Sequence, residues 1–190
     1  MRLKIVAVIY IKIENPMVVN LPRANVIVSV KENKWLEELP EAEAVCIMAA
    51  CEVIEVEKLP QLDLEISVVL ASDDMVRNLN RDWRGKNTTT DVLSFSNHDE
   101  MYVHGRPRLL GDVIVALGTA VNDSRLEGIS LKDHLCHLIV HGVYHLLGYD
   151  HIELKAAKIM EANETKVLNR LGVSDPYGDN SLTTSMDDYT

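Results

Sequence analysis

Five of the seven histidines in this 190-residue chain fall between positions 134 and 151. They are His134, His137, His141, His145 and His151. At 100° per residue the first four lie within an arc of about 80° on a single helix. Leu135, Leu138, Ile139, Val140, Val143, Leu146 and Leu147 occupy its other sides. A helix apolar over most of its circumference has to be buried, so this segment predicts a central helix with one imidazole-bearing face. Ser130 is placed to cap it, Asp133 to return the bond of a capping box, and Gly148 to let the chain leave tightly.

Helix geometry selects among the imidazoles. Residues four apart are separated by about 6 Å along the axis, which lets both rings reach one ion; eight apart is about 12 Å, too far to share it. The pair is therefore His137 with His141, or His141 with His145. The exit decides: Gly148 permits a reversal, and Tyr149-Asp150 bring His151 back beside the last turn. His141, His145 and His151 are the expected metal ligands, leaving the fourth position open as in a catalytic zinc site. His134 and His137 are expected to support or pack.

The remaining pattern encloses this helix in one domain. Val26–Val30 reads as a strand, followed by a helix opening at Pro40 and running to about Lys58. Leu62, Leu64, Ile66 and Val68 alternate with polar residues in a strand that continues to Leu70. Ser72 caps a helix to Trp83, Val92–Phe95 and Leu110–Ala116 read as strands, and a helix spans Thr119 to Leu126. The histidine helix, Leu131–Leu147, and a last helix, Ile152–Leu171, close the domain. The expectation is an α+β fold, a single domain with a small mixed four-stranded sheet and five or six helices. Its bounds are 21–173, after an N-terminal extension (1–20) and before an acidic tail (174–190) without apolar periodicity, expected to be disordered. Ile5–Ile13 could form a strand before Asn15-Pro16 breaks it, and Met17 is a second candidate start. Cys46 and Cys51 lack metal or redox spacing and, with Cys136, read as core thiols of a reducing cytoplasm.

The spacing of residues 141–151, HxxxHxxGxxH, is that of metzincin proteases, but Gly142 stands where HExxH enzymes carry their general-base glutamate. A zinc peptidase is thus the weaker reading. The sequence resembles instead the YbeY family of bacterial metal-dependent endoribonucleases. One block of the resemblance is His141-Gly142, His145-Leu146-Leu147-Gly148-Tyr149-Asp150-His151. A second is Leu79-Asn80, Trp83-Arg84-Gly85-Lys86 and Thr90-Asp91-Val92-Leu93-Ser94-Phe95; a third is Leu110-Gly111-Asp112. Met160, Glu161, Leu168, Leu171 and Gly172 of the last helix also fit. The match runs from about Val26 to Gly172, departing at Trp83, where tyrosine is usual, and at Ser96, where proline is. The resemblance implies a hydrolase that cuts single-stranded RNA in ribosomal RNA maturation, at the 3′ end of the small-subunit RNA, and in ribosome quality control. One Zn2+ held by the three histidines is the implied cofactor, and the small ribosomal subunit with its proteins the implied partner. Zinc bound this way acidifies water to a pKa of about 7 and neutralises phosphoryl charge. Attack by the RNA 2′-hydroxyl is the alternative to attack by water, and a ribosome assembly factor with a merely structural metal is the non-enzymatic alternative.

The charge balance, 29 acids against 19 bases and a net charge of −10, excludes a general nucleic-acid binder such as a DNA-coating protein. The last sixteen residues hold Asp175, Asp179, Asp187 and Asp188 and no base. Positive charge is instead concentrated in Arg77, Arg81, Arg84 and Lys86. Arg77, Arg81 and Arg84, at i, i+4 and i+7, would form one helical stripe that binds substrate with Lys86. Arg84 matches the family's arginine and is expected to bind or polarise the scissile phosphate, as a planar guanidinium can. Arg106 and Arg108 are lesser candidates, and Thr90-Asp91 and Asp112 are expected to tie loops to strands. Tyr144 is expected in the core. No apolar run is long enough for a membrane span, and a cytoplasmic protein is expected.

Overall fold

The computed structural model describes residues 24–59, 64–97 and 108–178. The expected strand at Ile5–Ile13, Arg106 and most of the acidic tail lie outside these residues. Four strands form one sheet: β1 (Ala24–Val30), β2 (Leu64–Ala71), β3 (Val92–Ser96) and β4 (Arg108–Ala116). Their order is β1-β2-β4-β3, with β1, β2 and β4 parallel and β3 antiparallel to β4. Six helices accompany them: α1 (Lys34–Glu38), α2 (Ala42–Val56), α3 (Asp73–Arg84), α4 (Leu117–Glu127), α5 (Leu131–Leu146) and α6 (Leu154–Arg170). The α+β expectation holds, and each strand and helix expected within the described residues has its counterpart. Helix α1 is the addition, too short to show a period. It is anchored by the fully buried Trp35, whose indole donates to the Ala71 carbonyl at 3.1 Å.

Period-2 alternation sorts the side chains between two cores. Leu64, Ile66, Val68 and Leu70 of β2, with Val113 and Val115 of β4, meet α2, α5 and α6 on one face. Ile114 and Ala116, one residue out of phase, join Leu93 of β3 and Val76 of α3 on the other. The parallel β1–β2 pair requires a crossover, which α1 and α2 provide. Helix α5 lies at the centre, against α2, α4, α6, β3 and β4.

Two glycines let the central helix and the sheet edge come together. Gly111 has φ +145°, and a Cβ there would fall 2.1 Å from the Phe95 carbonyl oxygen of β3. It follows an irregularity in the β2–β4 register, where Glu65 faces Leu109 but Ile66 faces Gly111. Gly142 of α5 sits so close to the sheet that a Cβ would lie 2.6 Å from Val113 Cγ1. A side chain there would have to push Val113 aside. Close packing against Val113 thus accompanies the absence of the HExxH glutamate.

Candidate metal centre

Helix α5 starts as expected, with the Ser130 hydroxyl accepting from the Asp133 amide at 3.0 Å. Its length carries the imidazoles of His137, His141 and His145 along one side. Gly148 takes a φ of +90°, and Asp150 Oδ1 accepts from the Ile152 amide at 2.8 Å, shaping the turn that returns His151. The His151 ring centroid lies 5.3 Å from that of His141 and 5.0 Å from that of His145. Each of the three rings offers a nitrogen within 4.8 Å of the others.

Hydrogen bonds set the tautomers. The Tyr149 carbonyl can only accept, so His145 Nδ1, 3.0 Å away, is the protonated nitrogen. His141 Nδ1 lies 2.9 Å from Glu164 Oε1 and donates to it. Both rings therefore turn an unprotonated Nε2 inward, and these two atoms stand 3.0 Å apart. Two lone pairs at that distance repel unless a proton or a metal cation lies between them. Burial, followed by the neighbouring His141 ring, pushes the His145 ionisation down, which disfavours the proton. The donor set thus fits a metal ion, with a carboxylate and a backbone carbonyl behind the inward-facing imidazoles in the way such ligands are usually oriented.

Glu164 of α6 is the residue that sequence reading overlooked. It is fully buried, and its second oxygen, Oε2, lies 3.3 Å from His137 Nε2 and accepts from the Tyr177 hydroxyl. Burial pushes its carboxyl up, but bonds from His137, His141 and Tyr177 outweigh it and hold the group down at about 2. The signal was present: Met160, Glu164, Val167 and Leu168 are the buried residues of α6, so a carboxylate stands at a core position of the stripe. His137 has the supporting place expected of it, with Tyr177 Oη 3.2 Å from its Nε2. Tyr177 itself lies beyond position 173, in a segment with no periodicity to announce it.

The imidazoles open on a cleft of about 380 Å³ lined also by Arg84, Thr90, Asp91, Ser94 and Tyr177. Arg84, at the C-terminal end of α3, donates to the Ser94 carbonyl at 3.3 Å and stands 5.9 Å over the Phe95 ring. Among the described residues Arg84 is alone of the expected basic group in lining the cleft. Arg77, Arg81 and Lys86 are exposed elsewhere, and Arg81 is paired with its neighbour Asp82 at 2.8 Å. Asp91 ties loop to strand as expected, its Oδ1 accepting from Val92 N at 2.8 Å and Thr90 Oγ1 at 2.9 Å. Tyr144 is in the core, donating to Glu57 Oε1 at 3.1 Å.

The family model described as Endoribonuclease YbeY matches residues 29–172. The chain belongs to the YbeY endoribonuclease family. The Endoribonuclease YbeY of Paramagnetospirillum magneticum is 49% identical over 148 residues, which cover 76% of this chain and 90% of that protein. The Endoribonuclease YbeY of Rhodospirillum rubrum is 48% identical over 123 residues, covering 63% of this chain and 62% of its own length. That of Rhizobium johnstonii is 39% identical over 155 residues, covering 79% and 91%. The YbeY match spans the last two residues of β1, the other three strands, the six helices of the described residues and every histidine of the cleft. No helix among the described residues is long and apolar enough to cross a membrane.

Proposed function

We propose that this protein is a zinc-dependent, single-strand-specific endoribonuclease that matures ribosomal RNA at the small-subunit 3′ end and serves ribosome quality control in the cytoplasm. The observation that carries the reading is the pair of inward Nε2 atoms at 3.0 Å, both rings committed through Nδ1, in a chain of the YbeY family. His141, His145 and His151 would hold one zinc ion. When bound, zinc supplies Lewis acidity, lowering the pKa of water and neutralising charge on phosphoryl oxygens.

The chain's own residues do the rest. Glu164 and the Tyr149 carbonyl fix the ring orientations, so little reorganisation is needed when the ion binds. Arg84 is the cleft's cationic side chain, and its guanidinium can give two parallel N–H bonds to a phosphate. It is assigned to the scissile phosphate, with Arg77, Arg81 and Lys86 left to follow RNA outside the cleft. The cleft's size suits one extended nucleotide better than a duplex, which accords with single-strand cleavage. A peptidase would lack its general-base glutamate here, since position 142 is glycine and a side chain there would have to displace Val113.

The test is cleavage of a single-stranded RNA with zinc content measured on the same preparations. Wild type cuts; His145→Ala loses one equivalent of zinc and the activity; Arg84→Glu keeps the zinc and loses the activity. Equal cleavage by all three overturns the nuclease reading, and metal-dependent folding without any cleavage establishes the assembly-factor alternative.

A further inference from the structure

We propose that Asp91, Asp123 and His134 form a second cation site, selective for a divalent ion of the manganese or zinc type, adjoining the histidine cleft. His134 is 4% exposed, and neither of its ring nitrogens has a hydrogen-bond partner. Buried imidazoles in folded proteins are almost always satisfied, so a doubly orphaned one marks a place where a ligand belongs. One of its nitrogens and a carboxylate oxygen from each of Asp91 and Asp123 lie within 4.8 Å of one another. A third carboxylate oxygen, Glu127 Oε2, stands 3.6 Å from His134 Nδ1.

Three separate parts of the chain bring these groups together: the residue before β3, the middle of α4 and the first turn of α5. Asp91 is held by Val92 N and Thr90 Oγ1, and Asp123 by Asn122 Nδ2 at 3.3 Å. Those bonds all fall on Oδ1, so one oxygen of each carboxylate carries none of the hydrogen bonds found among the described residues. Burial pushes the His134 ionisation down against the opposing pull of Glu127, keeping the imidazole in its ligating form. Two or three carboxylates then face a neutral ring, and among the described residues none of them is paired with a lysine or arginine. One imidazole with carboxylate oxygens is a mixed nitrogen–oxygen set, which favours manganese or zinc over the all-oxygen preference of calcium and magnesium.

The site shares no ligand with His141, His145 and His151. It shares a wall, because Asp91 is the one carboxylate among the described residues that line the cleft. An ion on Asp91 would cancel the negative charge nearest an entering phosphate. The second site would thus tune substrate affinity from behind the cleft.

The experiment is Mn2+ binding to the metal-stripped full chain, followed by the electron paramagnetic resonance of free Mn2+. The background is His141→Ala/His145→Ala, which disables the histidine site and separates this proposal from the zinc reading. That double variant is expected to bind one Mn2+ per chain. Adding Asp123→Asn, a partly exposed position on α4 that can change without emptying the core, is expected to weaken that binding at least tenfold. Adding His134→Gln in place of Asp123→Asn should do the same. Equal binding with and without Asp123→Asn overturns the proposal. So does the absence of binding to the double variant, which would make the cluster an imidazole held by carboxylates alone.

Discussion

Replacing Glu164 by glutamine tests the tautomer argument more sharply than removing a histidine, because it keeps the shape and changes only the charge. The carboxylate receives His141 Nδ1 at 2.9 Å on one oxygen, and His137 Nε2 at 3.3 Å and the Tyr177 hydroxyl on the other. An amide can be placed in two ways. With its carbonyl towards His141, the bond persists but becomes neutral, about half as strong as the charge-assisted one. With its NH2 group towards His141, two donors meet, the ring changes tautomer and its Nε2 acquires a proton that faces the ion. Both placements weaken metal binding. Loss of such an outer partner costs about 10- to 100-fold in affinity, or about 1.4 to 2.8 kcal/mol. The assay is competition for Zn2+ against a chromophoric chelator, with the melting temperature of the metal-free protein measured beside it. Glu164→Ala is the contrast, since it leaves buried donors unsatisfied at about 1–3 kcal/mol each and should lower the metal-free melting temperature as well. A Glu164→Gln protein that binds zinc within twofold of wild type refutes the reasoning.

Gly142→Ala puts a methyl 2.6 Å from Val113 Cγ1 and 3.1 Å from Ser94 Oγ; overpacking of about 1–3 kcal/mol is expected, read as a lower melting temperature. Ser72→Ala removes the hydroxyl that accepts from Met75 N at the start of α3, which should cost about 1 kcal/mol in denaturant unfolding. Trp35 is fully buried while Trp83 is 73% exposed with its ring edge-on to Phe95 beside Arg84. Single-stranded RNA should therefore quench tryptophan fluorescence in wild type and not in Trp83→Phe. Chelation of the metal should raise the Kd for a non-cleaved single-stranded RNA analogue by tenfold or more, since about 1.4 kcal/mol is a modest loss for two positive charges beside a phosphate. An unchanged Kd in a filter-binding assay would separate RNA affinity from the ion.

The parts legible in the sequence were those with a period. Alternation along Leu64, Ile66, Val68 and Leu70 announced β2, and the imidazole face announced α5, because both patterns repeat over enough residues to exclude the alternative. Helix α1 has five residues, too few for any period. Glu164 was hidden because an acid in a helix ordinarily reads as solvated; only its phase with Met160, Val167 and Leu168 shows that it points inward. The basic stripe was legible as a helix surface but not as a surface facing the cleft. Helix α3 covers the face of the sheet opposite α5, so its arginines lie away from the histidines until its C-terminal end reaches the edge strand β3. Arg84 is at that end. The spacing i, i+4, i+7 groups three arginines, and tertiary placement brings one of them to the cleft.

That placement bears on how a chain with a net charge of −10 can act on a polyanion. A general binder spreads basic residues along its surface and gains affinity from many phosphates, with a steep dependence on salt. Among the described residues the cleft's side-chain charges are one guanidinium, Arg84, and one carboxylate, Asp91, which nearly cancel. A metal ion bound by the histidines would add positive potential to that of Arg84 where a phosphate enters, while outside the cleft the exposed Arg77, Arg81 and Lys86 stand against an acidic remainder. Few phosphate contacts mean a shallow salt slope, and discrimination then rests on bringing one particular phosphate to the cleft. A surrounding ribosomal particle can do that by fixing the RNA, which is why an acidic exterior is compatible with a nuclease of narrow choice and would be a handicap for a scavenging one.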